Sequence, residues 1–167
     1  MQRVNELFGK EIVKQASGEK QGTVRDLVFD GEARSIVALL VGGTLGRNRV
    51  VRWSSIVSLG DVVVVGGEAS LARLGDDPEV ADLRKKSYRI TGTAIVTEGG
   101  EKIGAVRDLF VDGRGQVIGY EVSKGFVGDL GGRKFLPMTN IRTAGKDAII
   151  VGDPNLASVK EAERGRG

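Results

Sequence analysis

Short apolar stretches separated by polar, glycine-rich segments run along most of the chain. The stretches are rich in valine and isoleucine, and glycine, aspartate and asparagine stand between them. This alternation is typical of β-strands joined by tight turns. It predicts strands at 11–15, 22–30, 35–41, 49–53 and 62–66, and again at 93–97, 104–112, 116–123, 133–138 and 147–151. The predicted fold class is therefore all-β.

The predicted strands follow the same order in both halves because the sequence repeats itself. Residues 22–31, GTVRDLVFDG, match residues 104–113, GAVRDLFVDG. Residues 51–56 hold the same place in the first copy as residues 136–141 hold in the second. Such self-similarity indicates two copies of one small module. Five short strands with many glycines favour a barrel, since closure removes unprotected sheet edges.

The repeat divides the chain into two domains, a connector and a tail. The predicted boundaries are 1–74 and 89–152 for the domains, 75–88 for the connector and 153–167 for the tail. The connector is predicted to form a short helical linker. Asp77 can cap this helix, a proline suits its first turn and basic residues stand at its end. The tail can also begin a helix, and we expect its last residues to be loose.

Composition excludes several kinds of chemistry. The chain has no cysteine and no histidine, so it holds no disulfide, thiolate nucleophile, Cys/His zinc site or Ser-His-Asp triad. A net charge of +3 gives only a weak field for attracting nucleic acid. No segment has the length of a membrane span or the apolar core of a signal peptide. We therefore expect a soluble, cytoplasmic protein.

Three motifs in the same order in both copies resemble the PRC-barrel domain family. They are Phe8-Gly9-Lys10, residues 22–30 and residues 51–56 in the first copy, and Thr91-Gly92, residues 104–112 and residues 136–141 in the second. The family's small β-barrel also occurs in a photosynthetic reaction-centre subunit and in a ribosome maturation factor. The resemblance implies two tandem PRC-like barrels with a binding or adaptor role, and neither enzymatic activity nor a cofactor.

Two glycines and four aspartates recur in register in the two copies. They are Gly22, Asp26 and Asp30 in the first copy, and Gly104, Asp108 and Asp112 in the second. We interpret them as a structural motif in which the aspartates shape turns and bond local backbone groups. A metal site would need more ligands nearby, so no metal is predicted. The alternative is an enzyme that uses one pair of carboxylates in each copy, Asp26 with Asp30 and Asp108 with Asp112.

Two glycine-rich loops carry the candidate binding residues. The apolar residues of the second loop can anchor a partner or fold back over the barrel end; they are Phe126, Val127 and Leu130. The basic residues around both loops suit phosphate or acidic protein, or else protect exposed strand edges; they are Arg47, Arg49, Arg52, Arg133 and Lys134. Trp53 and Met138, at equivalent positions, are expected to fill the core.

The leading functional hypothesis is a non-catalytic adaptor whose two barrels dock a macromolecular partner, in the first place a protein. The alternative is a ribosome- or RNA-associated factor that uses the basic loop residues. Scarce aromatic residues count against a sheet that stacks single-stranded bases. Association of two copies of the chain through a sheet or barrel surface is a further alternative.

Overall fold

The computed structural model describes residues 1–42, 48–67, 71–87, 89–123, 133–152 and 157–165, the side chains of 157–159 excepted. The chain divides into two compact units. The first unit comprises Asn5–Ser87 and Gly113–Gln116, and the second unit comprises Met1–Val4, Tyr88–Asp112 and Val117–Gly167. The units thus depart from the predicted domains at 1–4 and at 113–116. In each unit the short strands form one curled half-barrel sheet.

The strands and helices of the described residues are numbered in chain order. Up to residue 87 they are β1 (Gln2–Arg3), β2 (Glu11–Lys14), β3 (Lys20–Phe29), β4 (Ile36–Gly42), β5 (Arg49–Arg52), β6 (Ile56–Leu59), β7 (Val63–Val65), β8 (Ala72–Arg73) and α1 (Pro78–Lys86). Beyond it they are β9 (Ala94–Thr97), β10 (Lys102–Val111), β11 (Val117–Ser123), β12 (Lys134–Pro137), β13 (Ile141–Ala144), β14 (Ala148–Val151), β15 (Ala157–Ser158) and α2 (Val159–Arg164).

Both sheets have the same strand order. In the first unit it is β6-β7-β2-β3-β4-β5-β8, and in the second it is β13-β14-β9-β10-β11-β12-β15. Neighbouring strands are antiparallel except β2 with β7 and β9 with β14, which run parallel. Strand β1 adds to the second sheet by pairing with the end of β10. The predicted all-β fold with two copies of one module is confirmed.

The repeated motif forms a long hairpin with a β-bulge at the same place in each unit. The register shifts between Val24 and Asp26 in β3 and between Val106 and Asp108 in β10. Gly22 and Gly104 precede these bulges, where the neighbouring strand approaches closely. A Cβ at Gly22 would overlap the backbone carbonyl oxygen of Gly42 on the neighbouring strand, and a Cβ at Gly104 would overlap that of Ser123. The recurrence of these glycines therefore has a steric cause.

Each helix packs back on the sheet of its own unit. Helix α1 inserts Val80 among Val28, Ala38, Leu40 and Val50, and all five side chains are buried. The helix predicted as a linker is therefore part of the first unit, since its apolar side completes the packing of β3, β4 and β5. Its capping aspartate and its first-turn proline are as predicted.

The residues after 152 also add structure to the second unit. Strand β15 pairs with β12, and Ala162 of α2 packs against Phe110 and Phe135. The tail 153–167 thus contains the helix that its sequence predicted and also a short strand, while its last two residues lie outside the described part. The two phenylalanine rings meet edge to face with centroids 5.4 Å apart. They occupy the places that Val28 and Val50 hold in the first unit.

The predicted strands match the observed ones to within two residues at each end. The pattern missed β1, β6, β8, β13 and β15, which contain two to four residues. None of the side chains described in these strands is buried, so they lack the short apolar run by which strands as short as β7 were predicted. The turn between β10 and β11 contains Gly115, whose carbonyl oxygen accepts a hydrogen bond from the backbone N–H of Ile36 in β4 at 2.9 Å. This bond helps to assign the turn Gly113–Gln116 to the first unit.

Candidate binding surface

The motif aspartates make short-range bonds to the backbone. Asp26 Oδ1 accepts a hydrogen bond from Leu27 N at 2.9 Å, and Asp108 Oδ1 accepts one from Leu109 N at 2.8 Å. Each aspartate directly follows a bulge, where the ladder is interrupted and a backbone donor needs another acceptor. These bonds are the ones expected if Asp26 and Asp108 have a structural role.

Asp30 holds the turn between β3 and β4. Its Oδ1 accepts from the backbone N–H groups of Glu32 at 3.2 Å and Arg34 at 2.8 Å, and its Oδ2 accepts from Ser35 Oγ at 2.7 Å. This is the turn-shaping role predicted for the residue. Asp112 stands at the equivalent position in the second hairpin. Within the described part of the chain, no three His, Cys, Asp or Glu side chains are grouped to hold a metal ion.

Part of the predicted binding set lies outside the described residues. This applies to Phe126, Val127, Leu130 and Arg47. The remaining basic residues, Arg49, Arg52, Arg133 and Lys134, are described. Arg49 and Arg52 belong to the first unit, and Arg133 and Lys134 belong to the second.

Arg52 is held by two carboxylates at the start of helix α1. Its Nε and Nη2 donate to the two oxygens of Asp77, each at 2.7 Å, and Nη2 also lies 2.7 Å from Glu79 Oε2. Hydrogen bonding to Arg52, reinforced by the backbone N–H of Val80, lowers the pKa of Asp77 although burial opposes this. The hydrogen bonds from Arg52 to Asp77 and Glu79 raise the pKa of Arg52 above its usual value. Arg52 thus joins β5 to α1.

Arg49 and Lys134 begin equivalent strands, β5 and β12. Arg49 lies directly opposite Arg73, and Lys134 lies directly opposite Ser158. Neither Arg49 nor Arg73 forms an ion pair in the described part of the chain. The first unit therefore presents two like charges side by side at the end of its sheet.

Arg133 belongs to a group of charges in the second unit that the sequence analysis did not identify. Glu121 of β11 is buried, and its carboxylate lies 3.4 Å from Arg3 Nη2 and 3.6 Å from the Nε atoms of both Arg107 and Arg133. We call these four residues the Glu121 cluster. Its signal in the sequence is one glutamate within an otherwise largely apolar strand, VIGYEVS, at the place of Leu40 in the first copy.

The two residues predicted to fill the core differ in burial. Trp53 is buried, and its Nε1 donates to Gly113 O at 3.4 Å. Its indole also packs against Gly115, where an added Cβ would lie within 3 Å of the ring. Met138, at the equivalent position, is only half-buried. Trp53 is therefore a core residue of the first unit, as predicted.

The strand order, the parallel closing pair and the bulged hairpin, all present twice, define a protein built from a duplicated small β-barrel module. The family model of the PRC-barrel domain matches residues 1–68 and 84–156. The chain therefore belongs to the PRC-barrel domain family, which confirms the resemblance seen in its motifs. None of the curated proteins compared with the chain is significantly similar to it.

Family membership suggests a binding role for the two modules. The structure adds that no helix among the described residues is long and apolar enough to cross a membrane.

Proposed function

We propose that this protein is a non-catalytic adaptor whose two PRC modules dock a macromolecular partner, specifically another protein. The observation that carries the proposal is the family match over both halves of the chain. The absence of a catalytic role is supported by Asp26, Asp30 and Asp108, whose carboxylates bond neighbouring backbone groups. A general acid or base would instead need a carboxylate free to reach a substrate.

A protein partner is favoured over RNA by the surroundings of the basic residues. Arg52 faces two carboxylates of its own unit, Asp77 and Glu79, which reduces its attraction for phosphate. Binding of single-stranded RNA also uses exposed aromatic rings as stacking platforms. Phe8 is the one aromatic side chain that is largely exposed in the described part of the chain.

The test is capture of partners from native lysate by the tagged full chain, with and without RNase, followed by mass spectrometry. We expect a small set of proteins that survives RNase treatment. Ribosomal proteins that disappear after RNase treatment would support the RNA-associated alternative instead. Enzymatic turnover of any captured partner would contradict the non-catalytic role.

A pair of double variants tests whether the second glycine-rich loop contributes to docking. Phe126→Ser with Val127→Ser should abolish capture of the RNase-resistant partner. The matched control is Phe8→Ser with Val57→Ser, which removes the same two side-chain types from exposed positions of the first unit. Capture that survives the loop variant, or that falls equally in the control, would remove this loop from the proposal.

A further inference from the structure

The two modules differ sharply at one buried position on strands that otherwise correspond. Leu40 of β4 and Glu121 of β11 hold the same place, each opposite the aspartate that follows the bulge. Both are buried, with 4% and 2% of their surfaces exposed. In the first unit Leu40 packs beneath helix α1 with Val80. In the second unit the same place holds a carboxylate.

The fold does not require a carboxylate at this place. Burying a charge is costly, and a buried ion pair is often no more stabilising than apolar side chains of similar size. Leu40 shows that the bulged hairpin accepts such a side chain there. Asp108 lies directly opposite Glu121, so the substitution also places two acidic residues side by side. A role other than stability therefore accounts better for Glu121.

That role is visible in the arginines that surround Glu121. Arg3 comes from β1, Arg107 is the extra residue of the bulge in β10, and Arg133 precedes β12. The side chains of Arg107 and Arg133 are 55% and 53% exposed, whereas that of Glu121 is 3% exposed. One buried carboxylate thus holds two guanidinium groups that also face solvent.

The cluster carries an excess of positive charge at one point of the surface. Its three guanidinium groups outnumber the carboxylates of Glu121 and Asp108. Arg3 is also fixed by the Phe110 ring, whose centroid lies 5.4 Å from its Cζ. In the first copy the equivalents of Arg107 and Arg133 are Arg25 and Asn48, and Leu40 replaces the anchoring carboxylate.

We infer that the Glu121 cluster is a docking site for acidic side chains of a protein partner, an inference that rests on the proposed function. Arginine pairs with carboxylates through two parallel hydrogen bonds, and a guanidinium that is already oriented loses less entropy on pairing. The arginines converge on one carboxylate, which suits a short acidic segment. An RNA groove would distribute basic side chains along a phosphate backbone.

The probe is a short fluorescein-labelled oligoglutamate peptide, and its Kd is measured by anisotropy with the full chain at constant salt. Arg107→Gln with Arg133→Gln should weaken binding about tenfold. The matched control is Arg34→Gln with Arg142→Gln, which removes two exposed arginines that also face a carboxylate of their own unit. We expect a change below about twofold for the control. Equal losses, or no binding to the natural chain, would overturn the inference.

Glu121→Leu separates positioning of the arginines from simple charge attraction. The variant should fold, since Leu40 occupies the same place in the first unit, and circular dichroism checks this. It raises the net charge by one, so charge attraction alone predicts tighter binding of oligoglutamate. Positioning by Glu121 predicts about threefold weaker binding, roughly half of the effect of removing both arginines on a logarithmic scale. Tighter or unchanged binding would refute the positioning role.

Two further comparisons separate the failure of this inference from the failure of the proposed function. Tighter binding of oligouridine of equal length, with the same dependence on Arg107 and Arg133, would assign the cluster to RNA. An RNase-resistant partner that is captured equally by the Arg107→Gln, Arg133→Gln variant would leave the adaptor proposal intact and refute this site. Oligoglutamate binding without any RNase-resistant partner would leave this site intact and contradict the adaptor proposal.

Discussion

Asp77 couples helix α1 to strand β5, and its replacement by alanine should destabilise the first unit by about 2 kcal/mol. Its Oδ1 accepts from Val80 N at 3.2 Å and so caps the helix. Loss of such a cap costs about 1 kcal/mol. The paired bonds from Arg52 contribute about another 1 kcal/mol, a value reduced because the arginine is partly exposed.

A second ion pair in the same helix provides the control. Lys86 Nζ lies 2.7 Å from Asp82 Oδ2, the same separation as between Arg52 and Asp77, but both Lys86 and Asp82 are well exposed. Exposed pairs one helical turn apart contribute only about 0.3–0.5 kcal/mol. Asp82→Ala should therefore change stability by less than about 0.5 kcal/mol, because the helical preference of alanine offsets part of the loss.

Urea unfolding monitored by tryptophan fluorescence measures the difference in stability between Asp77→Ala and Asp82→Ala in the first unit. Trp53 is the single tryptophan of the chain, and it is buried next to Arg52 in the first unit. With a slope of about 2 kcal/mol per molar urea, Asp77→Ala should lower the midpoint by about 1 M. Equal midpoints for Asp77→Ala and Asp82→Ala would refute the argument that burial and capping, rather than ion-pair distance, determine the contribution.

Three further predictions concern pH and close packing. Since hydrogen bonding to arginine lowers the folded-state pKa of Asp77, its contribution is fully present above the unfolded value of about 3.9 and is lost as pH falls through the folded value. Urea midpoints of the natural chain and Asp77→Ala should therefore converge in acid, and a constant gap would contradict this. Gly104→Ala should destabilise the second unit by more than about 2 kcal/mol in thermal melts, against about zero for Gly99→Ala, where an added Cβ makes ordinary contact. Gly119→Ala should also destabilise that unit, because its Cβ would overlap the ring of Phe135. Adding Phe135→Val should recover part of the loss, since the first unit holds an alanine and a valine at these places. The backbone oxygen of Leu136 lies 2.6 Å from the added Cβ as well, so recovery should be incomplete. No recovery at all would refute overlap with the ring as a cause.

The sequence pattern was sufficient to predict the main strands because each one is a short apolar run that buries at least one large side chain. It could not show where the helices pack. The segment around Val80 has few apolar residues, and nothing local distinguishes a linker helix from one that covers its own sheet. The same holds for β15 and α2, whose place depends on Phe110 and Phe135 of distant strands. Such contacts are made in the folded chain and leave little local pattern.

The candidate site was harder to predict because its residues come from separate parts of the chain. Arg3, Arg107 and Arg133 are far apart in sequence, and the pairing of β1 with β10, of β10 with β11 and of β11 with β12 brings them to one carboxylate. Of these three arginines, only Arg133 lies beside a glycine-rich loop and was predicted from that position. Arg52, which belongs to the same predicted set, instead holds the start of a helix. A basic residue in a loop therefore does not by itself indicate a free positive charge.

Comparison of the two copies separates structural positions from candidate functional ones. Where the copies agree, as at Gly22 and Gly104, a steric cause explains the shared residue in both units. At Leu40 and Glu121 the strand pairing is the same and the side chains differ in charge. Packing explains the leucine, but it gives no reason for a buried carboxylate beneath exposed arginines. Because the first unit shows what this fold needs at that place, the departure in the second unit is the reason to propose a docking site there and not elsewhere on the two sheets.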